Sequence, residues 1–225
     1  MIRPMDVEEV WISVEQSLAE SFPGLSALGF RLDGLELSRG DSRLERLVGE
    51  VVNEIRRSYN LETLKDVPIF RAYRDFFWRI GIDPTKMRPS SEALVRRILL
   101  GREFPRINPL VDIYNLASAK TGVTMASYDS SKVRGGLSLT WSRAGERFRG
   151  IGMDREIILQ GREVVLRDES SILSIYPYRD SDHSKTESQT KSAIVIVCGV
   201  PGIEASTLEQ AKETVLRYVA LALER

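Results

Sequence analysis

The sequence contains very few of the residues that most often bind metals. Its 225 residues include one cysteine, Cys198, and one histidine, His183. A single cysteine excludes an internal disulfide and is typical of a chain in a reducing cytoplasm. One histidine and one cysteine cannot form a His/Cys zinc site, and the carboxylates show no calcium-loop spacing. We therefore expect neither a metal ion nor another cofactor.

Long apolar runs and the common nucleotide-binding and hydrolase motifs are also missing. No apolar stretch approaches the roughly 20 residues that a transmembrane helix needs. The segment MIRPMDVEEVW is acidic and has no apolar core, so we expect no signal peptide, no membrane partner and a cytoplasmic location. The motifs G-x-x-x-x-G-K-[ST], G-x-G-x-x-G and G-x-S-x-G do not occur.

The formal net charge is zero, so no global field marks the chain as a nucleic-acid-binding protein. Charge is nevertheless uneven, because residues 1–66 hold 8 Lys and Arg against 13 Asp and Glu, whereas residues 71–106 hold 9 against 4. A polyanion such as tRNA could use the basic segment. Alternatively, its arginines form ion pairs with the acidic N-terminal part. The candidate tRNA-binding residues are Arg88, Arg96, Arg97, Arg102 and Arg106. DNA is not an expected partner.

Hydrophobic periodicity separates a helical half from a strand-rich half. Helical spacing dominates up to about residue 122, and short alternating segments dominate from Val123 onward. Segments 151–159 and 172–176 are strand candidates, and the apolar segment 193–200 predicts a strand buried on both faces. Segregated helices and strands are typical of the α+β class. We expect one domain over 1–225, with an N-terminal αβ subregion (1–66), a core (67–200) and a C-terminal helix (201–225).

The stretch 102–129 organises the rest of the chain. Asn108 is a good helix N-cap, Pro109 suits the first helical position, and Gly122 suits a left-handed C-terminal cap. These signals predict a helix between Asn108 and Gly122, followed by a short strand. On this helix Asp112 and Asn115 form a polar stripe beside the apolar face.

Short motifs around this helix, taken in order, resemble one known family. They are Tyr73-Arg74-Asp75-Phe76, 81–84, 88–97, 107–112, 128–129, 161–164, 179–181 and 190–191. This set is similar to the B3/B4 domain of the phenylalanyl-tRNA synthetase β subunit, and more closely to free-standing proteins that carry this domain alone. The domain removes tyrosine wrongly attached to the phenylalanine tRNA. The resemblance implies a layered β–β–α sandwich and a metal-independent deacylase that acts in trans on mischarged aminoacyl-tRNA.

The polar segment 176–191 would be a flexible solvated loop by composition alone, but the resemblance implies that it borders the pocket. The implied catalytic residues are Asn115, Thr190 and Asp180. The implied substrate-binding residues are Asp112, Tyr114, Ala126, Asp129, Arg179, Asp182, His183 and Lys191. Either Asp180 or Asp182 would bind the substrate ammonium.

Hydrolysis of the ester needs no nucleophilic side chain, because a positioned water can attack the carbonyl carbon. Asn115, Thr190 or backbone amides would stabilise the oxyanion, and Arg179 or Lys191 would hold the terminal phosphate or the carbonyl.

Several of these residues have a structural interpretation as well. Asp112 can satisfy neighbouring loop amides, and Asp129 can cap the turn that follows it. Tyr114 and Ala126 stand where the synthetase domain typically has threonine and histidine, so selectivity for the tyrosine hydroxyl does not carry over.

Two other functions remain open from the sequence. The same fold could be a non-catalytic module that binds tRNA, an amino acid or a protein partner, or it could hydrolyse a small molecule unrelated to tRNA. Nothing in the sequence indicates an oligomeric state.

Overall fold

A computed structural model describes residues 7–37 and 42–223 of the chain. The helices are α1 (Gln16–Ser21), α2 (Ser42–Ser58), α3 (Pro68–Arg79), α4 (Ser90–Leu99), α5 (Pro109–Thr121) and α6 (Ala205–Ala222). The strands are β1 (Val7–Val10), β2 (Ile12–Val14), β3 (Ser26–Asp33), β4 (Met125–Asp129), β5 (Leu137–Trp141), β6 (Ala144–Phe148), β7 (Ile157–Gln160), β8 (Val164–Arg167), β9 (Ile172–Ile175), β10 (Arg179–Asp180) and β11 (Ser192–Gly199).

The first sheet has the strand order β1-β3-β11-β4, and all of its neighbours are antiparallel. In β11, Val195 lies opposite Phe30 of β3 on one side and Ser127 of β4 on the other. Seven of its eight residues are buried. The strand predicted over 193–200 is therefore confirmed, and it is central to its sheet.

The second sheet has the order β10-β9-β8-β5-β2, in which only the β5–β2 pair is parallel. Strands β6 and β7 form a separate antiparallel hairpin. Leu139, Leu166 and Leu173 of the second sheet belong to the same buried cluster as Phe30 and Val195 of the first. The two sheets thus share one apolar core.

The long helices complete the layers. Helix α5 contacts β4, α6 contacts β11, and α2 packs on both helices while α4 packs on α5. The chain is therefore an α+β protein with sheet, sheet and helix layers, as predicted. The division into one domain with three parts stays a prediction. Over the described residues, the helices are too short or too polar to cross a membrane.

Helix α5 begins and ends where its sequence predicts. The Asn108 side-chain oxygen accepts a hydrogen bond from the Val111 N–H at 3.0 Å, and Gly122 adopts a left-handed conformation with φ of 77°. A β-carbon at Gly122 would also lie 2.5 Å from a side-chain carbon of Ile69. The cap and the helix-ending glycine together fix the length of α5.

The strand predicted over 151–159 is wrong in its first half. Strand β7 begins only at Ile157, and residues 151–156 form a turn and a bend. Gly152 has a φ of 77°, a left-handed conformation outside the β region of backbone space. The hydrophobic residue Ile151 is consequently a loop residue, 43% exposed.

Candidate functional site

A cavity of about 290 Å³ lies between α5, β4 and the β9–β10 turn. Five residues predicted from the sequence line it: Tyr114, Asn115, Ala126, Arg179 and Asp180. Other lining residues are Ser90, Ile107, Val111, Thr124, Met125, Tyr128, Ile151, Ser174, Pro177, Tyr178 and Cys198. We refer to this space as the cavity.

Regular secondary structure explains which residues face the cavity. On α5 the lining residues Val111, Tyr114 and Asn115 are spaced by three and one, so they lie on one helix face. On β4, Ala126 and Tyr128 line the cavity from one side because residues two apart point to the same face of a strand, and Met125 at the start of the strand lines it as well. Each element therefore presents a fixed set of side chains to the site.

Asp180 is the one carboxylate among the described residues that line the cavity. Its Oδ1 accepts a hydrogen bond from the Tyr128 hydroxyl at 2.9 Å. Burial raises the pKa of Asp180 to about 6, although the Tyr128 hydrogen bond and the Arg179 charge act in the opposite direction. A carboxyl with a pKa near neutrality can exchange a proton with a bound water at physiological pH.

Arg179 lies directly beside Asp180 on β10 and is held by several contacts. Its guanidinium donates a hydrogen bond to the Ile151 carbonyl at 3.2 Å and lies 5.1 Å from the centre of the Tyr178 ring. A β-carbon at Gly150 would come within 2.4 Å of the Arg179 side chain. The glycine therefore gives the Arg179 side chain room to cross the β6–β7 connection.

Asn115 is half-buried, and its side-chain amide makes no hydrogen bond to any described residue. An amide in a cavity, without a protein partner, has both donors and its acceptor available for a ligand. This is the arrangement expected of a group that binds substrate.

Two buried tyrosines, Tyr73 and Tyr176, fix the walls behind the cavity. The Tyr73 hydroxyl donates to the Cys198 carbonyl at 2.5 Å and accepts from the Thr124 N–H at 3.0 Å. The Tyr176 hydroxyl lies 3.0 Å from the Gly199 carbonyl. Burial raises the pKa of the Cys198 thiol, so Cys198 remains an unreactive thiol in the cavity wall.

A groove of about 710 Å³ runs beside the cavity and is lined by four of the five predicted tRNA-binding arginines: Arg88, Arg96, Arg97 and Arg102. We call it the arginine groove. Ser90 and Asn115 line both spaces, so the groove and the cavity adjoin at these two residues.

The arginines of the groove differ in how far their charge is neutralised. Arg88 lies 4.0 Å from the buried Glu92, whose main partner is Arg74 at 3.0 Å. Within the described ranges, Arg96 and Arg102 make no ion pair. These two guanidinium groups are the freest charges for an anionic ligand.

Asp112 and Arg106 lie outside both spaces and bind each other. The Arg106 Nε is 2.8 Å from Asp112 Oδ2, and its Nη1 reaches Glu45 at 2.7 Å. Asp112 also accepts the Ile107 N–H at 2.7 Å. Both side chains hold the segment that leads into α5, the structural role that the sequence left open for Asp112.

Thr190 and Asp129 form a buried hydrogen-bond network away from the cavity. The Thr190 hydroxyl donates to Asp129 Oδ2 at 2.6 Å, and Asp129 Oδ1 accepts the Ser131 N–H at 3.0 Å. These hydrogen bonds lower the pKa of Asp129, although burial alone would raise that pKa. Asp129 thus caps the turn after β4, on the strand face opposite Tyr128.

The remaining predicted residues of the polar loop also lie elsewhere. Asp182 and His183 line a different surface pocket, beside the β6–β7 hairpin, and Asp182 pairs with Lys185 at 2.7 Å. Lys191 is exposed and does not line the cavity. Over the described residues, no three His, Cys, Asp or Glu side chains are close enough to hold a metal ion.

The sequence did not single out Tyr128, which lines the cavity and donates to Asp180. The motif Tyr128-Asp129 had drawn attention to the aspartate, but neighbours on a strand point to opposite faces. The strand prediction for this segment contained that information, and it would have assigned Tyr128 to the side of Ala126.

Comparisons with known proteins concern the same part of the chain. A model of the B3/4 domain family matches residues 72–218. The phenylalanine–tRNA ligase β subunits of Nocardia farcinica and Corynebacterium efficiens are 35% identical over 95 residues and 34% identical over 96 residues. These alignments cover 42% of this chain but only 11% of each relative.

Among solved structures, an N-terminal fragment of the phenylalanyl-tRNA synthetase β subunit from Pyrococcus horikoshii is 14% identical, with a TM-score of 0.46. That comparison covers 88% of this chain and 74% of the fragment. Every residue that lines the cavity or the arginine groove falls within the 72–218 range of the family match.

Proposed function

Because this chain belongs to the B3/4 domain family, we propose that it hydrolyses the ester bond of mischarged aminoacyl-tRNA, acting in trans. The observation that supports this most strongly is that the cavity adjoins the arginine groove, with Ser90 and Asn115 lining both. In aminoacyl-tRNA the ester and the nearest phosphates lie on the same single strand. A largely apolar cavity that carries a few polar groups, beside a basic groove, is complementary to that arrangement.

In the proposed reaction a water attacks the carbonyl carbon of the ester, and Asp180 accepts the proton that this water loses. The bond between the carbonyl carbon and the ribose oxygen then breaks, and the proton passes to that oxygen. The products are the free amino acid and a tRNA with an intact terminal ribose. The pKa of about 6 keeps Asp180 mostly ionised at neutral pH, as a general base requires.

Asn115 and Arg179 supply the other contacts in this proposal. The Asn115 amide donates to the oxyanion of the tetrahedral intermediate, since it has no competing partner among the described residues. Arg179 holds the terminal phosphate beside the ester. Thr190, Asp182, His183 and Lys191 have no part in it, because they do not line the cavity.

The test is deacylation of a panel of mischarged tRNAs in the presence of a chelator. The relatives are phenylalanine–tRNA ligase subunits, so tyrosine on the phenylalanine tRNA is the first substrate to try. We expect hydrolysis above the rate without protein, with loss of roughly 100-fold or more in kcat for Asn115→Ala. Asp182→Asn is the matched control and should retain activity.

Failure to hydrolyse any ester of the panel would contradict the proposed reaction. If the protein then still bound aminoacyl-tRNA, the same cavity would be that of a binding module. In either case the expected location is the cytoplasm, where tRNA is used.

A further inference from the structure

Two large apolar side chains are exposed at the opening of the cavity. Ile107 is 67% exposed and Ile151 is 43% exposed, and both line the cavity. Single exposed isoleucines are common on protein surfaces. Two at the opening of one cavity, beside a basic groove, indicate contact with a ligand that has an apolar face.

Both isoleucines are held in place through their backbones. The Ile107 N–H donates to the buried Asp112 carboxylate at 2.7 Å. The Ile151 N–H donates to the Asp180 carbonyl at 2.9 Å, and the Ile151 carbonyl accepts from Arg179 at 3.2 Å. Arg179 and Asp180, which we assign to the reaction, thus also fix the position of Ile151.

From this geometry we propose that Ile107 and Ile151 form a clamp for the terminal nucleobase of a single-stranded RNA 3′ end. This inference rests on the proposed function, since it takes the cavity as the site of the amino acid ester and the arginine groove as the site of the preceding phosphates. The ester is attached to the terminal ribose. The base on that ribose therefore lies within one nucleotide of the ester, at the opening.

The chemistry of the opening fits a nucleobase better than a peptide or a sugar. A base presents two flat, weakly hydrated faces, and apolar side chains bind such faces without regard to sequence. Charge complementarity selects a polyanion as the occupant, because Arg96 and Arg102 are unpaired within the described ranges.

The clamp can be tested by binding alone, without any turnover. The probe is a short single-stranded RNA that ends in CCA and carries a fluorophore at its 5′ end, compared with the same RNA lacking the terminal base. We expect the wild-type protein to bind the complete RNA roughly fivefold or more tightly, as measured by fluorescence anisotropy. Ile107→Ala and Ile151→Ala should each reduce that preference.

Ile158→Ala is the matched control. Ile158 is 59% exposed on β7 and does not line the cavity, so its variant should keep the wild-type preference. Ile151→Val, which keeps an apolar β-branched side chain, should also keep most of it. Equal affinity of the wild-type protein for the two RNAs, or no RNA binding at all, would overturn the clamp.

Different results would contradict the clamp and the proposed hydrolysis. If deacylation occurs, Ile107→Ala should raise KM and leave kcat unchanged, since the base contact is the same in the ground state and the transition state. If the wild-type protein deacylated tRNA but bound RNA with and without the terminal base equally well, the proposed function would stand and the clamp would be excluded.

Discussion

Asp180 occupies an unfavourable environment for a charged group, and this has a consequence for stability. Its pKa is about 6 in the folded protein, against an ordinary value of 3.8. The folded state therefore holds this proton more tightly than the unfolded chain does. The resulting stabilisation is complete below about pH 4 and is lost as the pH rises through about 6.

At the residue scale, we predict that Asp180→Asn makes the protein more stable at about pH 8 while it abolishes deacylation. The amide stays neutral and can still accept the Tyr128 hydrogen bond, so the cost of the buried charge disappears. A gain of about 1–2 kcal/mol in the free energy of unfolding is expected. Urea denaturation at about pH 8 and about pH 4 measures it, and the gain should vanish at the lower pH.

Asp182→Asn provides the comparison, since Asp182 lies outside the cavity and its hydrogen bond from Lys185 lowers its pKa. This variant should gain no stability at high pH. A wild-type deacylation rate that did not fall as the pH dropped through about 6 would argue against Asp180 as the base.

We also predict that Thr190→Val lowers stability without lowering kcat. The Thr190 hydroxyl donates to the buried Asp129 and accepts the Glu187 N–H at 3.0 Å, and valine can do neither. Leaving buried groups unsatisfied costs about 1–3 kcal/mol. Urea denaturation and single-turnover deacylation of the same preparation separate the two effects.

Ser188→Ala, on the exposed part of the same turn, should change neither quantity. The opposite result for Thr190→Val, with unchanged stability and a much lower kcat, would restore the catalytic role that the sequence suggested.

At the scale of elements, the sequence predicts the bounds of a helix better than it predicts the arrangement of the site. Asn108, Pro109 and Gly122 determine the bounds of α5 because caps depend on neighbouring residues only. By contrast, Asp180 and Thr190 belong to one polar segment, yet one lines the cavity and the other is buried behind β4. That difference depends on strand pairing between residues far apart in sequence, which periodicity alone does not specify.

For the same element we predict that Asn108→Ala destabilises the protein by about 1–2 kcal/mol. The alanine removes the acceptor for the Val111 N–H, which then remains unpaired at the buried start of α5. Asn108→Ser keeps an acceptor and should recover most of the loss. Urea denaturation provides the measurement, and equal stability of the two variants would show that the cap contributes nothing.

At the scale of the whole molecule, the net charge is zero, but four positive charges are concentrated locally in the arginine groove. Among the described residues, the pairing with the acidic N-terminal part applies to Arg106, which binds Glu45, but not to the four arginines of the groove. A neutral protein with a local basic groove attracts nucleic acid at that place without a long-range field. Specific contacts of the groove, rather than net charge, should therefore dominate RNA affinity.

The salt dependence of RNA binding tests this directly. Each phosphate contact on a single strand contributes about −0.7 to the slope of log affinity against log salt concentration. We predict that Arg96→Gln and Arg102→Gln each reduce the magnitude of the slope by about that amount, as measured by anisotropy over a salt series. Arg147→Gln, at a 75% exposed position on the β6–β7 hairpin, should leave it unchanged.

The same measurement distinguishes the groove from the clamp. Ile107→Ala removes an apolar contact, so it should lower affinity by the same factor at every salt concentration and leave the slope unchanged. If Ile107→Ala changed the slope of the salt dependence, the apolar opening would also position a phosphate. If neither Arg96→Gln nor Arg102→Gln changed the slope, RNA would bind elsewhere, and the position of the groove beside the cavity would have no role in substrate binding.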